Sequence, residues 1–182
     1  LKKKYPHELT NQSIIVIPTC ADLDHFKALH NINYNNSTYG CIGSITSGWF
    51  NTELFTKFIS YVFLQNPNQK FEIVTRDNST DVRRIIDPNN IFKDKLNIKS
   101  SEFEDMPMIL NSHILSIMFY AGGEISELGR SPTRMAEVLG CGLPVIANDG
   151  VGDVATIIRK NNVGVILEGS SKLEFKKAFD HL

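Results

Sequence analysis

The chain of 182 residues lacks most of what would set it apart from an ordinary globular domain. No apolar run approaches the ~20 residues that span a bilayer, and no secretory leader is visible. Net charge is −1, from 19 Lys and Arg against 20 Asp and Glu, so bulk electrostatics give no case for nucleic acid. Cysteine is sparse. Cys20, Cys41 and Cys141 show no C-x-x-C spacing, which excludes a zinc ribbon or disulfide framework and fits reduced thiols in a cytosolic protein. His7, His25, His30, His113 and His181 show no ligand spacing, and each reads as surface or packing. There is no Walker A motif and no G-x-G-x-x-G after the first strand, which disfavours a hydride-transferring dinucleotide enzyme. Repeats and low-complexity tracts are absent. The first residue is Leu1 rather than Met, so a fragment of a longer chain is expected.

What is present is an alternation of β-rich and helical segments. Strands are expected at Ser13 to Pro18, Thr38 to Ser44, Phe71 to Thr75, Leu96 to Lys99, Leu143 to Ala147 and Val163 to Leu167. Helices are expected at Asn51 to Phe63, Asp81 to Ile86, Thr133 to Leu139, after Asp153 to about Lys160, and at Lys172 to His181. The first has apolar residues at Leu54, Phe55, Phe58, Ile59, Val62 and Phe63, which form one helix face. The order predicts an α/β fold, a doubly wound parallel sheet flanked by helices. Lys2 to Lys4 reads as a solvated basic run. Trp49 and Phe50, after the Gly43 to Gly48 loop, read as helix-entry packing or as a stacking surface for a nucleobase.

The densest chemistry lies from Arg130 to Val154 (RSPTRMAEVLGCGLPVIANDGVGDV). Ser131 is expected as an N-cap and Pro132 as the first helical residue. Gly140-Cys141-Gly142 stops the helix. A buried strand follows, and Asn148-Asp149-Gly150 turns the chain at the carboxyl end, where open α/β sheets place ligands. The free N–H groups between Ser131 and Arg134, at the start of the helix that Pro132 opens, would form an anion site with its dipole. Arg134 adds a forked cation suited to phosphate. Glu137, one turn on, suits ribose hydroxyls. The same spacing equally fits a capped surface helix with an ion pair three residues apart. Gly43 and Ser44 open a Gly/Ser loop whose amides would cradle phosphate. Arg76 ends a strand on the same side, where it faces the site or pairs with Asp77 or Asp81.

This stretch resembles the donor-binding motif of retaining glycosyltransferases of family 4, P-x-K/R-x-x-E followed by G-x-P-V-[IV]-A. Pro132, Arg134, Glu137, Gly142, Pro144, Val145, Ile146 and Ala147 match, and Gly150 or Gly152 fits the next glycine. Pro18 to Phe26 resembles the segment that opens the C-terminal domain in that family, and Glu104 to Leu110 resembles a family helix that precedes a strand, which implies a strand at Ile114 to Tyr120 here. The resemblance implies the C-terminal half of a GT-B fold, with residues 1–12 as interdomain linker and 13–182 as the nucleotide-sugar-binding domain. It implies that Gly43, Ser44, Arg76, Arg130, Ser131, Pro132, Thr133, Arg134 and Glu137 hold the nucleotide diphosphate, Arg134 and Glu137 being central to transfer. Two departures stand out. The family's earlier Glu of an E-x7-E pair is Gly129 here, so Glu124 and Glu127 become the candidates for the donor sugar. The loop after the first of these strands carries Ser44, Thr46 and Ser47 where many members have Arg and Lys.

The implied reaction moves a sugar from a nucleotide-diphosphate sugar to an acceptor hydroxyl with retention. No metal or further cofactor is implied. A glycan or lipid-linked acceptor would be met through a missing N-terminal domain, in cytoplasmic surface-glycan synthesis, with peripheral membrane contact in a full-length protein. A nucleotide-sugar epimerase of the same fold and a degenerate, non-catalytic partner domain are the alternatives.

Overall fold

The structure, a computed structural model, describes residues 19–29, 38–123 and 129–181, together with 7, 11, 13, 15 and 17. After a hydrogen-bonded turn at residues 22–26, the chain forms β1 (Thr38–Ile42), α1 (Thr52–Gln65), β2 (Lys70–Val74), α2 (Ser79–Ile86) and β3 (Leu96–Lys99). A short 3-10 turn (Phe103–Asp105) leads into α3 (Met106–Asn111). Then come β4 (Leu115–Met118), α4 (Thr133–Gly140), β5 (Val145–Asn148), α5 (Val154–Asn161), β6 (Gly164–Leu167) and α6 (Lys172–Asp180). The six strands form one sheet in the order β3-β2-β1-β4-β5-β6, and every pairing is parallel. The sequence order reverses between β1 and β4, so a crevice opens at their carboxyl ends.

Local signals account for most elements. Asn51 caps α1, its side chain accepting from the Leu54 N–H at 3.0 Å. All six apolar positions expected on its inner face are buried. Asn78 caps α2, accepting from Thr80 and Asp81, so that helix starts two residues earlier than the pattern suggests. The expected helix over Glu104 to Leu110 is divided between the 3-10 turn and α3, with Pro107 in the first turn of α3. β4 stops at Met118, and Tyr120 instead pairs antiparallel with Phe50. The expected strand at Ser13 to Pro18 is not supported: Ser13, Ile15 and Ile17 belong to no strand and are exposed, and the alternate residues lie outside the described set.

Each face of the sheet has its own core. Phe55, Phe58, Ile59 and Val62 of α1, Val82 and Ile86 of α2, and Phe175 of α6 pack on one face with Phe71 and Ile73. Leu110 of α3, Met135 and Val138 of α4, Val154 and Ile158 of α5, and Phe26 pack on the other. Phe58 is fully buried and meets Phe119 and Phe175 edge-on at 5.5 and 5.4 Å. Among the described residues no helix is long and apolar enough to cross a membrane.

One charge is embedded in the second face. Glu72 of β2 accepts from Asn97 (2.8 Å) and faces Lys99 (3.0 Å) and the fully buried His113 (3.1 Å). Burial pushes the Glu72 carboxyl up, but these three donors outweigh it and hold it at about 2.

Phe58→Ala should destabilise the chain by about 3–5 kcal/mol in urea unfolding, while exposed Leu64→Ala should stay within about 0.5 kcal/mol. Because the folded pKa of Glu72 lies below the ordinary 4.5, its contribution is complete above that value and disappears as pH falls towards about 2. Thermal unfolding from pH 7 to 2 should therefore show an acid decline that Glu72→Gln flattens. An identical slope in the variant would assign the decline to other groups.

Candidate functional site

The carboxyl ends of β1, β2 and β3 and the start of α4 enclose a cleft of about 410 Å³. Ile42, Val74, Phe103 and Met106 give it an apolar floor, and Ser44, Arg76, Asp77, Arg134 and Glu137 give it a polar margin. Phe103 follows β3 and is half exposed. The His25 ring stacks on it at 4.5 Å, and the His25 Nε2 lies 3.1 Å from its carbonyl.

Arg134 is held from below. Its Nη1 donates to the Ile42 carbonyl at 2.6 Å, and its guanidinium lies over Gly43 so closely that a Cβ there would overlap it. Gly43 has a φ of +102°, which itself favours glycine. Arg134 and Glu137 line the same cleft but make no ion pair, so the simple paired-surface-helix alternative does not describe them. Burial pushes the half-buried Glu137 carboxyl up, and the fields of Arg134 and His25 only partly reverse this.

The helix start differs from expectation. Pro132, not Ser131, occupies the cap position of α4, and no side chain caps it. The Ser131 hydroxyl accepts from the Thr19 N–H (3.2 Å), and the Ser131 carbonyl accepts from the Thr19 hydroxyl (2.7 Å). Ser131 therefore ties the 19–29 segment to α4. The Met135 N–H returns to the Pro132 carbonyl, leaving the Thr133 and Arg134 amides without a partner among the described residues.

The Gly43–Ser44 loop also differs from the expected cradle. Ile45 and Thr46 donate their N–H groups to one Asp77 carboxylate oxygen at 2.6 and 2.9 Å, and the Ser44 hydroxyl donates to it at 3.1 Å. The Ser47 N–H turns back to Ser44 Oγ. An internal carboxylate thus occupies the concavity that a phosphate would need. Burial pushes the Asp77 carboxyl up, and these donors more than reverse it. Neither Asp77 nor Asp81 takes Arg76, which stands exposed on the cleft margin; Asp81 pairs with Arg84.

Arg130 reaches the loop from the opposite side, resting on Trp49 and Tyr120. Glu124 and Glu127 lie outside the described residues, while a Cβ at Gly129 would meet open space. Phe103, Met106 and Asp77 were not marked by any motif. The signal that could have found them is position, since each follows the carboxyl end of a strand in a doubly wound sheet. No group of His, Cys, Asp and Glu suited to a metal is present among the described residues.

Asp77→Ala should strand the Ile45 and Thr46 amides and cost about 1–3 kcal/mol in urea unfolding. Asp77→Asn, which keeps one acceptor, should cost less. Unchanged midpoints in both would mean that the loop is held by other contacts.

No protein-family model matches the chain, and neither does any curated protein. Solved structures do. WaaG, a glycosyltransferase involved in lipopolysaccharide biosynthesis, is 13% identical at a TM-score of 0.69 over 91% of this chain and 46% of its own. The C-terminal domain of the glycosyl transferase group 1 family protein LpcC from Francisella tularensis is 15% identical at 0.62, over 88% and 86%. A mutant of S. aureus TarM, in complex with fondaparinux, α-GlcNAc-glycerol and UDP, is 16% identical at 0.68, over 97% of this chain and 34% of its own. The chain therefore spans less than half the length of WaaG and about a third of TarM. Its fold, a six-stranded parallel sheet flanked by helices, is that of the C-terminal half of GT-B glycosyltransferases.

Proposed function

We propose that the chain is the donor-binding domain of a retaining glycosyltransferase, which moves a sugar from a nucleotide-diphosphate sugar to an acceptor hydroxyl. The observation that carries this reading is the convergence of Arg134 and Glu137 on an apolar cleft at the carboxyl ends of a doubly wound sheet, with the open Thr133 and Arg134 amides at the start of the same helix. The apolar floor suits a nucleobase, with Phe103 as a stacking surface. Glu137 accepts from ribose hydroxyls. The Thr133 and Arg134 amides and the Arg134 guanidinium meet the diphosphate, where charge develops as the sugar leaves. Side chains and helix dipole thereby supply the field a metal would otherwise provide. The fold likeness to glycosyltransferases, TarM with bound UDP among them, supports this reading. The acceptor, a glycan or lipid-linked hydroxyl, belongs to a further domain, and surface-glycan synthesis in the cytoplasm is the proposed setting.

A second reading has its own support. The loop amides are taken by Asp77, and the loop carries no cation, which fits a transferase-like domain that no longer binds a donor.

Calorimetric titration with UDP, GDP, ADP and CMP separates the two. One nucleotide is expected to bind, and Glu137→Ala is expected to weaken it by about tenfold to a hundredfold, the effect of losing hydrogen bonds to a charged group, without a change in unfolding midpoint. Undiminished affinity in the variant would remove Glu137 from the site. Failure of all four to bind the wild-type chain would favour the degenerate domain.

A further inference from the structure

Two adjacent amides of the Gly43–Gly48 loop are held by a carboxylate from another part of the chain. Asp77 Oδ2 accepts from the Ile45 N–H at 2.6 Å, from the Thr46 N–H at 2.9 Å and from the Ser44 hydroxyl at 3.1 Å. All three donors converge on one oxygen, as they would on one oxygen of a phosphate. Asp77 lies 32 residues beyond Ile45, just after β2, and is only partly buried. It lines the same cleft as Ser44, Arg134 and Glu137.

The loop has anchors other than Asp77. The Gly43 N–H donates to the Val74 carbonyl at 2.8 Å, and Arg134 lies over Gly43. The Ser47 N–H donates to Ser44 Oγ at 3.2 Å, and the Thr52 hydroxyl donates to the Ile45 carbonyl at 3.3 Å. Asn51 then caps α1. These contacts do not involve the carboxylate. If the Asp77 side chain turns into the cleft, they keep the Ile45 and Thr46 amides in place and leave them open.

Burial pushes the Asp77 carboxyl up, but the loop donors outweigh it and hold it below the ordinary 3.8, so the group is an anion at neutral pH. It therefore competes for the same donors as a bound phosphate. A site that is open only part of the time binds its ligand more weakly by the open fraction. The start of α4, with Arg134, can meet one phosphate in either state. A second phosphate gains the loop amides only when Asp77 has left them.

We propose that Asp77 is a displaceable internal occupant of the loop's anion seat. The distal phosphate of a donor takes the Ile45 and Thr46 amides by expelling the Asp77 carboxylate, so Asp77 sets the affinity for a diphosphate. This rests on the donor-site reading above.

The test is calorimetric titration with UDP, GDP and ADP, and with the matching monophosphates, at low and high salt. It compares the wild type, Asp77→Asn and Asp77→Ala, with urea midpoints to show that each is folded. The diphosphate that binds should gain about tenfold in affinity in Asp77→Ala. The gain should be smaller in Asp77→Asn, whose amide oxygen still accepts from the loop. Monophosphate affinity should change little, and the diphosphate gain should persist at high salt, where diffuse charge effects are screened. Unchanged or weakened diphosphate affinity in both variants overturns the proposal while the donor-site reading stands, because Asp77 would then only shape the loop. Equal gains in both that vanish at high salt also overturn it, because Asp77 would then act through its charge alone. If Asp77→Ala does not fold, Asp77→Asn decides: an unchanged ratio of diphosphate to monophosphate affinity at high salt overturns the proposal. Diphosphate binding by Asp77→Ala in the absence of binding by the wild type supports it. If neither the wild type nor the variants bind any diphosphate, the donor-site reading and this proposal fall together.

Discussion

The arrangement at the carboxyl edge of the sheet depends on one contact, the Arg134 guanidinium laid over Gly43 and bonded to the Ile42 carbonyl. It joins the first turn of α4 to the end of β1, two elements 92 residues apart. A side chain at residue 43 would displace Arg134, and the positive φ there is one that only glycine adopts at little cost. With Arg134 in place, Glu137 faces the same cleft one turn further on. Ser131 then meets Thr19, which draws the 19–29 segment over α4 and brings His25 against Phe103. The cleft wall is thus assembled from four parts of the chain around one cation and one missing side chain.

Charge at this edge is distributed in an unusual way. Backbone amides at a strand-to-helix loop ordinarily form a concavity open to anions. Here Asp77, from the neighbouring strand's loop, enters that concavity and satisfies it internally. The Ile45 and Thr46 amides are therefore already taken. The donors left open at this edge are instead the Thr133 and Arg134 amides at the start of α4, with the Arg134 guanidinium beside them. The Glu72, Lys99, Asn97 and His113 group lies apart from this, on the face that α3 and α4 cover, and its role is in the stability of the sheet.

Likeness to solved structures at 13 to 16% identity carries the fold, because a doubly wound sheet depends on hydrophobic pattern and connection handedness more than on particular residues. It does not carry chemistry, which depends on particular residues at particular distances. The functional reading therefore rests on the geometry of Arg134, Glu137 and the α4 amides.

The sequence by itself determined the order of strands and helices after Thr38. That information is local: the apolar face of α1, the Asn51 and Asn78 caps, the Gly140-Cys141-Gly142 stop and the short apolar strands act over a few residues each. It also marked Arg134 and Glu137, because spacing along a helix puts residues three apart on one face. Where local signals conflict with distant partners, the pattern misled. Ser131 has the composition of a cap, but its hydroxyl is claimed by Thr19. Only the tertiary structure decided that Asp77 fills the Gly/Ser loop, that Phe103 floors the cleft and that Arg130 crosses to Trp49 and Tyr120. Most of these contacts join segments tens of residues apart, and hydrogen bonds and ring contacts acting over a few ångströms exist only after the parallel sheet has brought those segments to one edge.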